Sequence, residues 1–206
     1  MNIDINLFKK MFAAAYAEIV ANELKLCELD SVCGDGDHGV AIKGALGAAE
    51  ASLNEATDLK EGLYDAGVAA MSHSNGSTST LFGSLLMGLS DGIEDGVTEV
   101  DAAGFASLFK AGLESVSENT AAKVGDKTLM DALIPAVEAM EGKASLAELL
   151  EAAAAAAKAG SDNTTTLQAK FGRARNLGEK SIGSIDAGSV SISIIFAQFA
   201  KVYSQN

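Results

Sequence analysis

The segment Ser189-Val-Ser-Ile-Ser-Ile-Ile-Phe-Ala-Gln-Phe-Ala-Lys-Val-Tyr203 decides the fold class. Its first half alternates polar and apolar residues like a strand, whereas Ile192, Ile195, Phe196, Phe199 and Tyr203 recur at helical spacing. The longer helical pattern governs, so a helix is expected over roughly 188 to 203. The remainder agrees. One proline, long alanine-rich runs and few aromatic residues describe a nearly all-helical chain. Phe8, Phe12, Ala15 and Ile19 form an apolar stripe, as do Phe105, Leu108, Phe109, Gly112, Leu113 and Val116. Leu129, Leu133, Val137 and Met140 form another, interrupted by Pro135. Ser145-Leu-Ala-Glu148 is a capping box opening an alanine-rich helix, and Gly142 closes the helix before it. Eight helices are expected, at roughly 5 to 27, 37 to 53, 60 to 73, 77 to 91, 100 to 118, 128 to 141, 145 to 170 and 188 to 203. Short connections favour antiparallel neighbours. The run from Gly172 to Gly188 reads as an ordered functional loop, and no composition break marks a second domain, so residues 1–206 are expected to form one.

A net charge of -13 argues against a nucleic-acid or anionic-membrane surface. Any phosphate must be handled locally, by metal, backbone and a few basic side chains. Cys27 and Cys33 fit neither a Cys-x-x-Cys motif nor a disulfide framework, which points to a reducing, cytoplasmic setting. No run reaches the roughly 18 apolar residues of a membrane span.

The chemistry concentrates in Leu29-Asp-Ser-Val-Cys-Gly-Asp-Gly-Asp-His-Gly39. A loop bent at Gly34, Gly36 and Gly39 can aim Asp30, Asp35 and Asp37 at one centre, and hard oxygen ligands suit Mg2+ or Ca2+. Counting twelve positions from Asp30 or Asp35 reaches Ala41 or Leu46, not the glutamate of an EF-hand. The helix starting near Asp37 offers the N–H groups of His38, Gly39, Val40 and Ala41 to an anion. Taken alone, the run fits a solvated turn with Asp37 as N-cap equally well.

Three further clusters are polar. Asn75-Gly-Ser-Thr-Ser-Thr80 puts hydroxyls at another helix start, as a phosphate cradle or as ordinary capping. Gly125-Asp-Lys-Thr128 lacks the glycine and residue order of a P-loop, so a Walker-type ATPase is not supported. Gly172-Arg-Ala-Arg175 and Gly183-Ser-Ile-Asp-Ala-Gly188 combine phosphate-neutralising arginines with close backbone approach, or form a solvated loop. Neither His38 nor His73 belongs to a recognisable triad motif, and no catalytic side chain is singled out.

In order and spacing, these clusters resemble the nucleotide-binding L subunit of dihydroxyacetone kinase. The matching segments are Glu28-Leu-Asp30 with Gly34-Asp-Gly-Asp-His-Gly39, Leu81-Phe-Gly83, Gly125-Asp-Lys-Thr-Leu-Met-Asp131, Gly172-Arg-Ala174, Leu177-Gly-Glu-Lys-Ser-Ile-Gly183 and Asp186-Ala-Gly188. The resemblance implies an all-α antiparallel barrel of eight helices, with ADP or ATP and two Mg2+ at one rim. It implies Asp30, Asp35 and Asp37 as metal ligands, and nucleotide contacts at His38, Gly39, Val40, Ala41, Ser77, Thr78, Thr120, Leu129, Arg173, Asp186, Ala187 and Gly188. It further implies phosphoryl transfer to a short ketose held by a separate K subunit, with ATP or a phosphohistidine phosphotransferase protein as donor.

The chain departs from the family's pattern at Asn75 to Thr80, where glycines and a proline are usual, at Leu129 in place of methionine, at Ala187 in place of proline, and at Cys33. These departures bear on partner and sugar. Erythrulose is an alternative substrate, and a nucleotide-sensing regulator of a transcription factor is an alternative function. An acyl-phosphate-forming kinase is disfavoured by the Gly172 to Gly188 segment.

Overall fold

A computed structural model describes residues 1–74 and 76–206. The segment at 189 is helical, so the fold is all-α. The α-helices are α1 (Ile5–Ser31), α2 (His38–Glu55), α3 (Leu59–His73), α4 (Ser77–Asp91), α5 (Ala102–Asn119), α6 (Met130–Glu138), α7 (Leu146–Asn163) and α8 (Ala187–Ser204). Their starts follow from local chemistry. Asp4, Asp58, Asp101, Ser145 and Asp186 each accept an N–H from the first turn of the helix they precede.

Each helix packs on its neighbours in sequence, and α8 returns to α1, closing an antiparallel barrel. The α5–α6 seam is the thinnest, and the 120–129 connection runs beside it. Inside, Phe8, Phe105, Phe109, Phe196, Phe199 and Phe12 form a closed circuit with successive ring centroids 4.8–6.5 Å apart. This circuit fills the end where α1 and α5 begin, leaving the opposite rim for polar residues. A two-stranded ribbon not anticipated from sequence, β1 (Ile3–Asp4) against β2 (Glu99–Val100), ties the N-terminus to the α4–α5 connection.

Two expectations are corrected. The seventh helix ends at Asn163, not near 170, because Thr164, Thr165 and Thr166 turn their hydroxyls back onto the carbonyls of Ser161, Asp162 and Asn163 and tighten the chain into a 3₁₀ turn. The Gly172–Gly188 loop is also partly helical, with a kinked 3₁₀ segment over Arg173–Ser181. Pro135 lies inside α6 and cannot donate to the Asp131 carbonyl. That carbonyl instead abuts Gly160 of α7, where an added Cβ would come within 1.9 Å of it.

Candidate nucleotide and metal site

In an antiparallel barrel of this order, α2, α4, α6 and α8 all begin at one rim, so four helix N-termini, each partially positive, face the same space. A cleft of about 570 Å³ opens there, walled by the ends of these helices and by the 120–129 and 171–188 segments. A local excess of N–H groups is how a strongly acidic chain can hold an anion.

The aspartate bend is built around Asp30. Its Oδ2 accepts the amides of Gly36 at 2.8 Å and Asp37 at 3.2 Å. Its Oδ1 lies directly over Gly34, where a Cβ would come within 2.3 Å, and Gly36 takes the positive φ of 78° that reverses the chain. Ligand oxygens of Asp30, Asp35 and Asp37 consequently lie within 4.8 Å of one another. Asp37 occupies the N-cap position of α2 yet makes no capping bond, which sets aside the simple capped-turn reading. Desolvation in the bend, then the charges of Asp35 and Asp30, push its carboxyl above the ordinary value, with Arg173 opposing. Three mutually repelling carboxylates held in register by backbone amides fit a hard divalent cation.

The expected metal ligands and nucleotide contacts distribute as follows. Asp30, Asp35, Asp37, His38, Ser77, Thr78, Thr120, Leu129, Arg173, Asp186, Ala187 and Gly188 all line the cleft. Gly39, Val40 and Ala41 stand behind it on the first turn of α2, and Ala41 donates its amide to the Asp37 carbonyl. The first-turn amides without an intrahelical partner are therefore those of His38, Gly39 and Val40, while that of Ala41 is taken up in the helix. Asn75 lies outside the described residues, so only 76–80 of the hydroxyl cluster can be placed.

His38 is a tie between helix starts. Its Nε2 is 2.8 Å from Ser191 Oγ on α8, and its Nδ1 is 3.4 Å from Thr78 Oγ1 on α4. Burial pushes its pKa below the ordinary value, so the ring is neutral at pH 7. Arg173 reaches from the far wall to Asp35, Nη2 to Oδ2 2.9 Å. Asp186 caps α8 through Ser189 N at 2.6 Å, and burial pushes its carboxyl up to about 7. Leu129 and Gly188 adjoin, and with Leu81 they edge an apolar recess beneath the cleft.

Sequence reasoning assigned no role to Lys127 and Asp131. Asp131 accepts the amides of Gly125 at 2.6 Å and Thr128 at 2.8 Å, shaping the loop between. Lys127 is buried in the cleft wall. A lysine within the glycine- and aspartate-containing turn Gly125-Asp-Lys-Thr128 is the signal for it in the sequence.

An all-helical barrel with a carboxylate cluster and four helix N-termini at one rim defines a scaffold suited to an anion beside a hard cation. By sequence, the chain belongs to the DAK2 domain family, which it matches over residues 32–201. It is 34% identical over 197 residues to an L-erythrulose kinase of Pectobacterium atrosepticum, covering 92% of this chain and 33% of that protein. It is 30% identical over 177 residues to the ADP-binding subunit DhaL of a PEP-dependent dihydroxyacetone kinase of Listeria innocua, covering 85% of each. The corresponding Escherichia coli subunit is 30% identical over 181 residues, covering 85% of this chain and 86% of that one. In three dimensions, the dihydroxyacetone kinase of C. freundii in native form matches with a TM-score of 0.74 at 24% identity, over 95% of this chain and 34% of that one. The chain thus spans about a third of the erythrulose kinase and of the C. freundii enzyme, and most of the length of the DhaL subunits.

Proposed function

We propose that this chain is the ADP- or ATP- and Mg2+-binding component of a short-ketose kinase, acting on a sugar held by a separate K subunit. The observation that carries the reading is the convergence of Asp30, Asp35 and Asp37 at the rim where four helices begin, with Arg173 opposite. Relatives matched over most of their length are named as ADP-binding subunits of dihydroxyacetone kinases, and the C. freundii enzyme, which shares the fold, has been solved with AMP-PNP and Mg2+.

Asp30, Asp35 and Asp37 would hold Mg2+, two ions in the full reading, and the bound cation neutralises phosphate oxygens. The chain's own groups do the rest. Helix-end amides of α2 and hydroxyls of Ser77 and Thr78 receive phosphate oxygens, Arg173 adds a positive charge, and Leu129 with Gly188 offers an apolar seat beneath. No side chain here needs to exchange a proton with the phosphate. Positioning and electrostatics carry such transfers.

Among the described residues, no helix is long and apolar enough to cross a membrane. Operation in the cytoplasm, and recharging of bound ADP by a phosphohistidine phosphotransferase protein, belong to the same proposal. A four-carbon ketose is the second reading for the acceptor, favoured by erythrulose kinases among the relatives.

Reconstitution tests the reading. The purified chain is mixed with a dihydroxyacetone kinase K subunit, dihydroxyacetone or erythrulose, Mg2+, and either ATP or phosphorylated phosphotransferase protein. Sugar phosphate formed with one donor and abolished by Asp35→Ala is expected. No product with any combination, across K subunits encoded beside genes of this type, contradicts it.

A further inference from the structure

We propose that Lys127 is a positioning residue for the cleft: its buried ammonium fastens the 164–186 segment, which carries Arg173 and reaches Asp186, to the 123–128 loop. The inference rests on reading the cleft as a nucleotide site.

Lys127 is 4% exposed and, among the described residues, is the one non-glycine residue with a positive φ, 59°. A lysine keeps that backbone state only when its surroundings over-determine it. Here they do. Asp131 holds the amides on both sides of Lys127, those of Gly125 and Thr128, and Lys123 and Asp126 close the turn with reciprocal bonds at 2.9 and 3.1 Å. The bend turns the lysine side chain inward, away from solvent.

Inside, Lys127 Nζ donates to the Thr164 carbonyl at 2.6 Å and to the Ser184 carbonyl. No ion pair among the described residues includes it. Its two carbonyl partners lie at opposite ends of the segment that forms the far wall. Thr164 extends the tie, because its Oγ1 accepts the Asp186 amide at 2.9 Å. One ammonium thus fixes both ends of a segment whose middle carries Arg173, 2.9 Å from Asp35.

The segment's other attachment to this loop is at Lys170, whose amide donates to the Asp126 carbonyl at 3.1 Å and whose side chain, 60% exposed, pairs with Asp126 and donates to the Gly125 carbonyl. The side-chain contacts, solvated on the lysine side, add little to that one backbone bond. Replacing Lys127 by an uncharged side chain of similar length would remove both donated bonds, stranding the Ser184 carbonyl and leaving the Thr164 carbonyl with the Leu167 amide alone. The wall would then loosen while the barrel, whose aromatic core lies at the other end, stays packed.

The test uses Lys127→Met, Arg173→Ala and the double variant in the full chain. Hydrogen exchange on ligand-free protein is expected to show lost protection in peptides from 164 to 186 of Lys127→Met, with α1 to α5 unchanged. Calorimetry with Mg-ADP is expected to show affinity reduced about tenfold or more by Lys127→Met, with the two substitutions non-additive in the double variant. Protection unchanged in 164–186, or lost evenly over every helix, would overturn the proposal. So would an additive cycle, which would mean that Lys127 meets the nucleotide independently of Arg173.

If Lys127→Met does not fold, Thr164→Val decides. It keeps the carbonyl that Lys127 holds but loses the hydroxyl that receives the Asp186 amide. Lost protection confined to 182–188 supports the tie, and none refutes it. A wild-type chain that binds no Mg-ADP would refute the functional reading alone, leaving the exchange experiments to judge Lys127.

Discussion

Arg173 Nη2 lies 2.9 Å from Asp35 Oδ2, so one carboxylate of the cation cluster is also the partner of the cleft's facing guanidinium. A cation binding at the aspartates competes with Arg173 for Asp35, whereas a phosphate bound beside the cation gives Arg173 a new partner. Arg173→Ala is therefore expected to affect the two ligands in opposite directions. Affinity for Mn2+ alone should rise by about two- to fivefold, the value of an exposed ion pair worth up to ~1 kcal/mol, while affinity for Mg-ADP falls. Titrations of metal alone and of metal with nucleotide check this. A loss of affinity in both would show that Arg173 supports the aspartate bend instead of competing with the cation.

Gly34 carries the Asp30 carboxylate directly above it. A methyl group there would come within 2.3 Å of Oδ1, and the carboxylate must swing away. Gly34→Ala should lower cation affinity by roughly 10–100-fold, the range seen when a group orienting a metal ligand is disturbed. Thermal unfolding should change little, since the bend lies at the surface. A large drop in Tm with cation affinity retained would be the wrong result.

Acid should release the cation earlier than from ordinary carboxylates. Asp37 is pushed above its usual value by desolvation and by Asp35 and Asp30. A proton therefore competes with the metal from a higher pH, so affinity is complete at neutral pH and falls as pH drops through the raised value. Metal titrations from pH 7.5 to 4.5 should show this limb, and Asp37→Asn should remove it along with most of the affinity. A pH-independent affinity over that range would contradict the geometry.

Asp186 gives the opposite slope in stability. Its carboxyl is pushed up to about 7, above its unfolded value of about 3.9, so between these limits the folded chain binds the extra proton. Stabilisation by the protonated form is complete below the lower value and is lost as pH rises through about 7. Asp186→Asn retains an oxygen to cap Ser189 and cannot ionise. Denaturant melts of ligand-free protein at pH 5 and pH 8 should show the variant gaining relative to wild type at the higher pH. Parallel stability at both would place Asp186 in a more solvated setting.

The eight helices were legible because each carries an apolar stripe at helical spacing, including α8 despite the alternation at its start. The convergence of Asp30, Asp35 and Asp37 was legible because the glycines between them let the run bend, although the run alone fitted a solvated turn equally well. What escaped notice depends on contacts between distant segments. The end of α7 is set by three threonine hydroxyls that bond backward, which composition does not distinguish from a continuing helix. The β1–β2 ribbon is two residues per strand, below any periodicity. Lys127 is remote in sequence from both carbonyls it holds, at Thr164 and Ser184.

The most direct test of the central claim is calorimetric titration of ADP into the purified, nucleotide-stripped chain, with Mg2+ and with a chelator, alongside Asp37→Ala. Saturable binding with Mg2+, lost with chelator and lost in the variant, is predicted. Absence of Mg2+-dependent binding by the folded wild-type chain would contradict the account.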